Sequence, residues 1–378
     1  MIDTIILQIP IDYSAIIDHS QFRPSTKGIL DNPANFYKYT NNPKKADKER
    51  CIYKPKLTMI KRGKKIYLKI EFSASKLLFG NNLEEVEESD FEKIVNKLQK
   101  RIKEMGVILW THEIEKAEVI AFHPSKNISL SKGYTSSFAI RELSKVKLNQ
   151  KLDLEKVSFR NTGEPLQLYS NRHSFVLYDK INDLNKPAKR AIDKDQTKQQ
   201  IDLFEYIKKQ KRNLEVLKME VRLNHKRKMI EVLEKVGFTD TPLFKNIFKK
   251  DLCKKIVNLY WEKFFGKDRF LFGIINSPQK ILQAILIKRP KTKIKTAIFL
   301  MGLILLCKDK EGIRGLRSIT KNYRRKNNWG ILRKYLKKWE NEILTVPLHG
   351  FIKDIQRAVN EFKAFKLDKQ TGDDMLAL

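Results

Sequence analysis

Apolar and polar residues alternate with a period of two in several stretches of the N-terminal part of the chain, and this pattern is typical of half-buried β-strands. It predicts strands at residues 1–10, 52–60, 65–72, 117–123 and 215–223, with Pro124 ending the fourth. Residues 164–180 alternate on both sides of a polar turn, Ser170-Asn171-Arg172-His173, which predicts a hairpin.

Helical spacing of apolar residues follows between and after these strands. It predicts helices at residues 91–105 and 229–236, each ended by a glycine. From about residue 242 the pattern is mostly helical. We therefore expect an α+β fold. A mainly antiparallel sheet with packed helices forms a domain over residues 1–241, and a mostly helical, basic domain follows over residues 242–378.

The charge of the chain limits its partners. Lys and Arg number 77 against 44 Asp and Glu, which gives a formal net charge of +33. Such an excess favours a polyanionic binding partner: DNA, RNA or an anionic membrane surface. The longest apolar run, residues 297–307, is shorter than the roughly 20 residues of a spanning helix, so we expect no membrane insertion. The three cysteines are far apart and suggest a reduced, cytoplasmic protein.

A tyrosine and a set of charged residues share strand faces in a way that suggests phosphate chemistry. Alternation places Tyr178 and Lys180 on one face of the hairpin, and Glu220 and Arg222 on the polar face of the strand 215–223. If the two strands share a sheet, these side chains converge on its open side. A tyrosine hydroxyl is a weak nucleophile, and it needs a base or a metal and nearby cations to attack phosphorus.

A divalent cation would explain a carboxylate beside a phosphate. Glu220 is therefore a candidate ligand for Mg²⁺ or Mn²⁺. His123, at the predicted end of a strand, and Glu71, on the polar face of its strand, are weaker candidate ligands. The alternatives remain open at this point: Tyr178 can be a structural residue, and Glu220 can pair with Lys218 or Arg222 on a solvated strand face.

Four pieces of the chain follow one another in this order: MIDTIILQIPID, IYLKIEFSASKLLFGNN, RHSFVLYDK and LKMEVRL. Together they resemble the phage and plasmid replication initiators that include the filamentous-phage endonuclease. The resemblance implies a rolling-circle initiator that nicks one strand of a double-stranded origin. It implies Tyr178 as nucleophile, Lys180 beside it, and Glu220 as the metal-binding acid. The chain departs from the family at His123, where such initiators are expected to carry an Asp.

The implied reaction leaves a 5′-phosphotyrosyl link and a 3′-OH that primes a host polymerase, with a host helicase as a further partner and the displaced single strand as a product. We expect Arg172, His173 and Arg222 to contact DNA. A second basic segment, residues 312–339, suggests a helix-turn-helix-like unit with DNA contacts at Arg324, Arg325, Lys326, Arg333 and Lys334, or else a solvated basic helix. The rival functions are a non-catalytic origin-binding protein and a basic RNA-binding protein.

Overall fold

A computed structural model describes residues 1–12, 15–25, 36–146, 165–169, 172–183, 203, 205, 214–266, 269–275, 277–322, 328–340 and 347–367. Its centre is an antiparallel sheet of nine strands, in the order β2-β3-β4-β5-β1-β6-β9-β8-β7. The strands are β1 (Ile2–Ile11), β2 (Arg23–Pro24), β3 (Phe36–Asn41), β4 (Lys56–Arg62), β5 (Lys65–Ser73), β6 (Glu118–Ser129), β7 (Pro165–Tyr169), β8 (His173–Asp179) and β9 (Val216–Leu223).

Helices pack against the sheet and make up most of the described residues after β9. The α-helices are Lys45–Glu49, Ala74–Phe79, Phe91–Glu104, Thr111–Glu115, Ser136–Leu143, Lys180–Asp183, Lys226–Lys235, Phe244–Ile247, Lys250–Phe265, Pro278–Lys288, Ile294–Lys308, Gly312–Asn322, Asn328–Glu340 and Gly350–Glu361. The predicted α+β class with a mainly antiparallel sheet is confirmed. The helices expected near residues 91–105 and 229–236 and the hairpin of β7 and β8 are present as well.

Strand β1 lies in the middle of the sheet because its alternate residues are apolar enough to be buried there. Ile5, Leu7 and Ile9 are buried, and β5 and β6 pair with β1 on its two sides. The β4–β5 hairpin turns at Gly63, whose positive φ of 58° is a conformation that glycine adopts without a steric penalty. Phe72 at the end of β5 packs edge-on against Phe244.

The prediction that Pro124 ends its strand is wrong, because β6 continues to Ser129. Proline cannot donate a backbone hydrogen bond, so it is tolerated where a neighbouring ladder is interrupted. Pro124 lies opposite Ile2 at the start of β1, where the β1–β6 register shifts. Ser125 then donates its N–H to the Met1 carbonyl at 2.9 Å and lies opposite Glu220 of β9. His123 is therefore inside a strand and not at a strand end.

One face of the sheet is covered by helices from the C-terminal part of the chain. Phe175 of β8 stacks on Phe264 at 5.6 Å between ring centroids, and the helix Lys250–Phe265 carries that ring. Phe351 and Ile355 of the helix Gly350–Glu361 belong to the same continuous core. The hydrophobic core therefore crosses residue 242, and the domain boundary there stays a prediction.

The most apolar helix, Ile294–Lys308, packs against Pro278–Lys288 through a small core of its own that includes Ile281, Ile285 and Leu300. Within the described residues, no helix combines the length and the apolar character that crossing a membrane requires.

Candidate active site

The predicted charged residues meet on the sheet face opposite the helix-covered core, where β8 and β9 are neighbours. Tyr178 lies directly opposite Lys218, and Val176 lies opposite Glu220. Residues that face each other across two strands project to the same side of a sheet. The alternation of β9 therefore places Lys218, Glu220 and Arg222 on the side of Tyr178, as the sequence predicted, while Leu217, Met219 and Val221 enter the core.

Glu220 is the centre of this face. Arg222 donates two charge-assisted hydrogen bonds to its carboxylate, from Nε to Oε1 at 3.0 Å and from Nη2 to Oε2 at 3.1 Å. Burial by itself would raise the pKa of Glu220, but Arg222 and then His123 hold that pKa well below its usual range. The pKa of Arg222 is raised in return, first by Glu220. Glu220 is thus ionised at neutral pH.

His123 supports the same carboxylate from β6. Its Nδ1 lies 3.1 Å from Glu220 Oε1, and its Nε2 lies 2.7 Å from Asn224 Oδ1. Both neighbours are oxygen atoms, so the ring donates to both of them only when it is doubly protonated. The histidine that stands in place of the expected acid is therefore a hydrogen-bond partner of Glu220 in this arrangement.

Tyr178 and Lys180 complete the contacts at the end of β8. The Tyr178 hydroxyl donates to Glu220 Oε2 at 3.4 Å. Lys180 begins a short helix just after β8, and its Nζ lies 5.7 Å from the centroid of the Tyr178 ring. The pairing of these two residues that the sequence predicted is therefore present, although Lys180 is not in the strand.

Asp3 is a member of this group that the sequence analysis missed. Its carboxylate forms an ion pair with Lys218 Nζ, across 215 residues of sequence. Burial alone would raise the pKa of Asp3, but Lys218, and more weakly Lys180, lower it. Burial would likewise lower the pKa of Lys218, and Asp3 reverses that and raises it. The only sequence signal was an acid near the start of a mostly apolar first strand.

We call these seven residues the Tyr178 cluster: Asp3, His123, Tyr178, Lys180, Lys218, Glu220 and Arg222. The expectation that Tyr178, Lys180 and Glu220 lie on an open face is wrong. Tyr178 is 8% exposed, Glu220 and Lys218 are 2% exposed, and Lys180 is 1% exposed. Charged side chains can be this deeply buried because each carboxylate has cationic partners.

Glu71 does not join the cluster. It lies on β5, three strands away from β9, which corresponds to about 14 Å at the usual strand spacing. Its side chain is 47% exposed and lies 3.9 Å from Lys56 Nζ. Alternation predicted its face, but the order of the strands separates it from Glu220.

The predicted DNA-binding residues have different positions. Arg172 is exposed and directly precedes β8. His173 is half-buried on the helix-covered side, where its ring packs edge-on against Tyr260 at 5.8 Å. Burial lowers the pKa of His173 to about 4. His173 is therefore a neutral packing residue at neutral pH, and it is not on the face of Tyr178.

In the C-terminal segment, the helices Gly312–Asn322 and Asn328–Glu340 flank the predicted polar stretch. Arg333 and Lys334 are exposed on the second of these helices. Arg324, Arg325 and Lys326 lie outside the described residues. Contact of this segment with DNA stays a prediction.

The expected Mg²⁺ or Mn²⁺ does not fit the donors in this arrangement. Both oxygens of Glu220 already accept hydrogen bonds from Arg222, and Oδ1 of Asp3 is paired with Lys218. A divalent ion at either carboxylate would compete with these cations and would add two positive charges beside them. Among the described residues, no three His, Cys, Asp or Glu side chains are close enough together to hold a metal ion.

Comparison with known proteins identified no match: no protein-family model, curated protein or solved structure is significantly similar to the chain. The resemblance to replication initiators therefore rests on the four sequence pieces alone. The arrangement of Tyr178 and Glu220 on one sheet face is the structural observation that bears on it.

Proposed function

We propose that this chain is a cytoplasmic rolling-circle replication initiator that nicks one strand of a phage or plasmid origin through Tyr178. One observation carries the proposal. The Tyr178 hydroxyl contacts an ionised carboxylate, Glu220, on a sheet face that also holds Lys180, Lys218 and Arg222. A nucleophile, a proton acceptor and cations for the phosphate are the set that phosphodiester transfer requires.

The proposed step exchanges one ester for another. The Tyr178 oxygen bonds to phosphorus, and the bond from phosphorus to the 3′ oxygen of the preceding nucleotide breaks. The phenolic proton leaves toward Glu220 Oε2, which the hydroxyl already faces. The 3′ oxygen takes a proton from water and becomes the primer end for a host polymerase. Lys180 and Arg222 offset the negative charge that develops on the phosphate oxygens.

A second set of cations on the same face supports nucleic acid as the partner. Strand register places Lys38, Arg62 and Lys69 on the side of the sheet that bears Glu220. Within the described residues, none of these three has an acidic partner within 4 Å, and burial and then its two basic neighbours lower the pKa of Lys69. A cluster of like charges is unfavourable by itself, and a phosphate backbone would neutralise it.

The burial of Tyr178 sets a condition on the mechanism. A hydroxyl on a side chain that is 8% exposed cannot reach a phosphodiester unless this face opens when DNA binds. The same burial favours one rival, an origin-binding protein without catalysis, in which Tyr178 only holds Glu220 in place.

The test uses supercoiled DNA of the replicon that encodes the chain, with single-stranded oligonucleotides that tile it. The wild-type chain is expected to form a protein–DNA adduct that survives SDS, and Tyr178→Phe is expected to form none. Tyr260→Phe is the control, since this tyrosine is buried on the helix-covered side. Nicking by Tyr178→Phe would refute the nucleophile. Binding without cleavage would support the non-catalytic rival, and a preference for RNA at equal salt would support RNA binding.

A further inference from the structure

The Tyr178 cluster holds its carboxylates next to cations without any added ion. It contains two carboxylates, Asp3 and Glu220, and three permanent cations, Lys180, Lys218 and Arg222. Each of the two carboxylates is paired with a cation, Asp3 with Lys218 and Glu220 with Arg222. A buried site is stable only when its charges are paired in this way.

Lys218 differs from a lysine on a solvated surface. It is 2% exposed, lies directly opposite Tyr178 on the neighbouring strand, and is held by the carboxylate of Asp3. It also acts electrostatically on Glu220. A lysine fixed at this depth presents its positive charge without the loss of side-chain entropy that a mobile surface lysine undergoes on binding.

We propose that Lys218, positioned by Asp3, supplies together with Lys180 and Arg222 the positive charge that a divalent ion supplies in metal-dependent nickases, so that strand transfer at Tyr178 needs no divalent ion. This inference rests on the proposed function. It reverses the sequence-based expectation of Mg²⁺ or Mn²⁺.

The reason lies in the partners of the two carboxylates. A divalent ion at Glu220 would compete with the bidentate contact from Arg222, and at Asp3 it would compete with Lys218. The ion would add two positive charges beside Arg222 and Lys218, which is unfavourable in a largely buried site. A bound phosphodiester, in contrast, would add a negative charge beside these cations.

The first experiment measures adduct formation on the tiling oligonucleotides after metal removal, in EDTA, and after addition of Mg²⁺ or Mn²⁺. We expect rates that agree within about twofold among these conditions. A loss of about tenfold or more in EDTA that Mg²⁺ or Mn²⁺ restores would overturn the inference and leave the nicking function intact. No adduct in any condition would overturn the proposed function itself. As a readout without catalysis, electron paramagnetic resonance should detect no Mn²⁺ bound to the protein alone, and stoichiometric binding would overturn the inference.

The second experiment removes the buried pair as a unit, with Asp3→Asn and Lys218→Met combined so that neither charge is left alone. We expect this variant to fold but to form the adduct about 100-fold more slowly in EDTA. The matched control combines Asp47→Asn with Lys54→Met, an ion pair of 2.9 Å outside the cluster, and should keep the wild-type rate. A wild-type rate in the Asp3–Lys218 variant would overturn the role of Lys218. If that variant does not fold, as circular dichroism would show, Lys218→Arg decides, because it keeps the charge and should retain most of the rate.

Discussion

Glu85 is a buried anchor for the segment after the last helix, and its replacement gives a quantitative test of the fold. Its carboxylate forms an ion pair with Lys126 and accepts hydrogen bonds from the backbone N–H groups of Asn127, at 2.7 Å, and Phe365, at 2.9 Å. Glu85 and Lys126 are each 3% exposed. Burial alone would raise the pKa of Glu85, but the Met1 ammonium group and Lys126 lower it to about 2.

The size of the effect follows from that pKa. A displacement from the usual 4.5 to about 2 corresponds to roughly 3 kcal/mol of stability at neutral pH. Loss of one partner of a buried ion pair typically costs a similar amount, about 3–5 kcal/mol. We therefore expect Glu85→Gln to lower the free energy of unfolding by about 3 kcal/mol at pH 7. Because the folded pKa is depressed, the contribution is complete above pH 4.5 and disappears as the pH falls toward 2.

Guanidinium unfolding of wild type and Glu85→Gln, at pH 7 and at steps down to pH 3, measures both effects. The difference between the two proteins should shrink as the pH falls below 4.5. Glu92→Gln, an exposed glutamate on the helix Phe91–Glu104, is the control and should change stability by less than about 0.5 kcal/mol. A loss below about 1 kcal/mol in Glu85→Gln, or a difference independent of pH, would refute this account of the buried pair.

Three further predictions concern single residues. Burial raises the pKa of the Cys253 thiol to about 12, so iodoacetamide at pH 8 should label the exposed Cys51 in the native protein and label Cys253 only after unfolding, which peptide mass spectrometry reads out. Since burial lowers the pKa of His173 to about 4, the wild type should lose stability relative to His173→Gln as the pH falls from 6.5 to 4 in denaturant titrations. Gly106→Ala should lower the free energy of unfolding by about 2 kcal/mol or more in thermal unfolding, because φ is +81° and the new Cβ would lie 2.7 Å from the Asp18 side chain. Gly63→Ala, at φ +58° with open space around the new Cβ, should lower it by about 1 kcal/mol.

The local pattern of the sequence was sufficient to predict the faces of the strands. Alternation in β9 placed Glu220 and Arg222 on one side, and alternation in β8 placed Tyr178 there too. This works because the direction of each side chain in a strand is fixed by the backbone within two residues. Alternation could not predict whether that face is exposed, because burial depends on every element that packs against it.

The order and register of the strands are set by contacts between residues that are distant in sequence. The wrong predictions arose because the local pattern does not contain those contacts. Asp3 was missed because its partner is 215 residues away. Glu71 was included among the candidate ligands because alternation correctly predicted the sheet face that it shares with Glu220. The strand order nevertheless places its strand, β5, three strands away from β9. His173 was assigned to a polar turn, but β8 begins at that residue and turns its ring toward the core.

The most direct test of the central claim is the chemical identity of the residue that is joined to DNA. After reaction with the tiling oligonucleotides and nuclease digestion, mass spectrometry of the protein should find a nucleotide linked through its 5′ phosphate to Tyr178, and the released strand should end in a 3′-OH. A nucleotide on another residue, or cleavage that leaves no covalent link to the protein, would contradict the account.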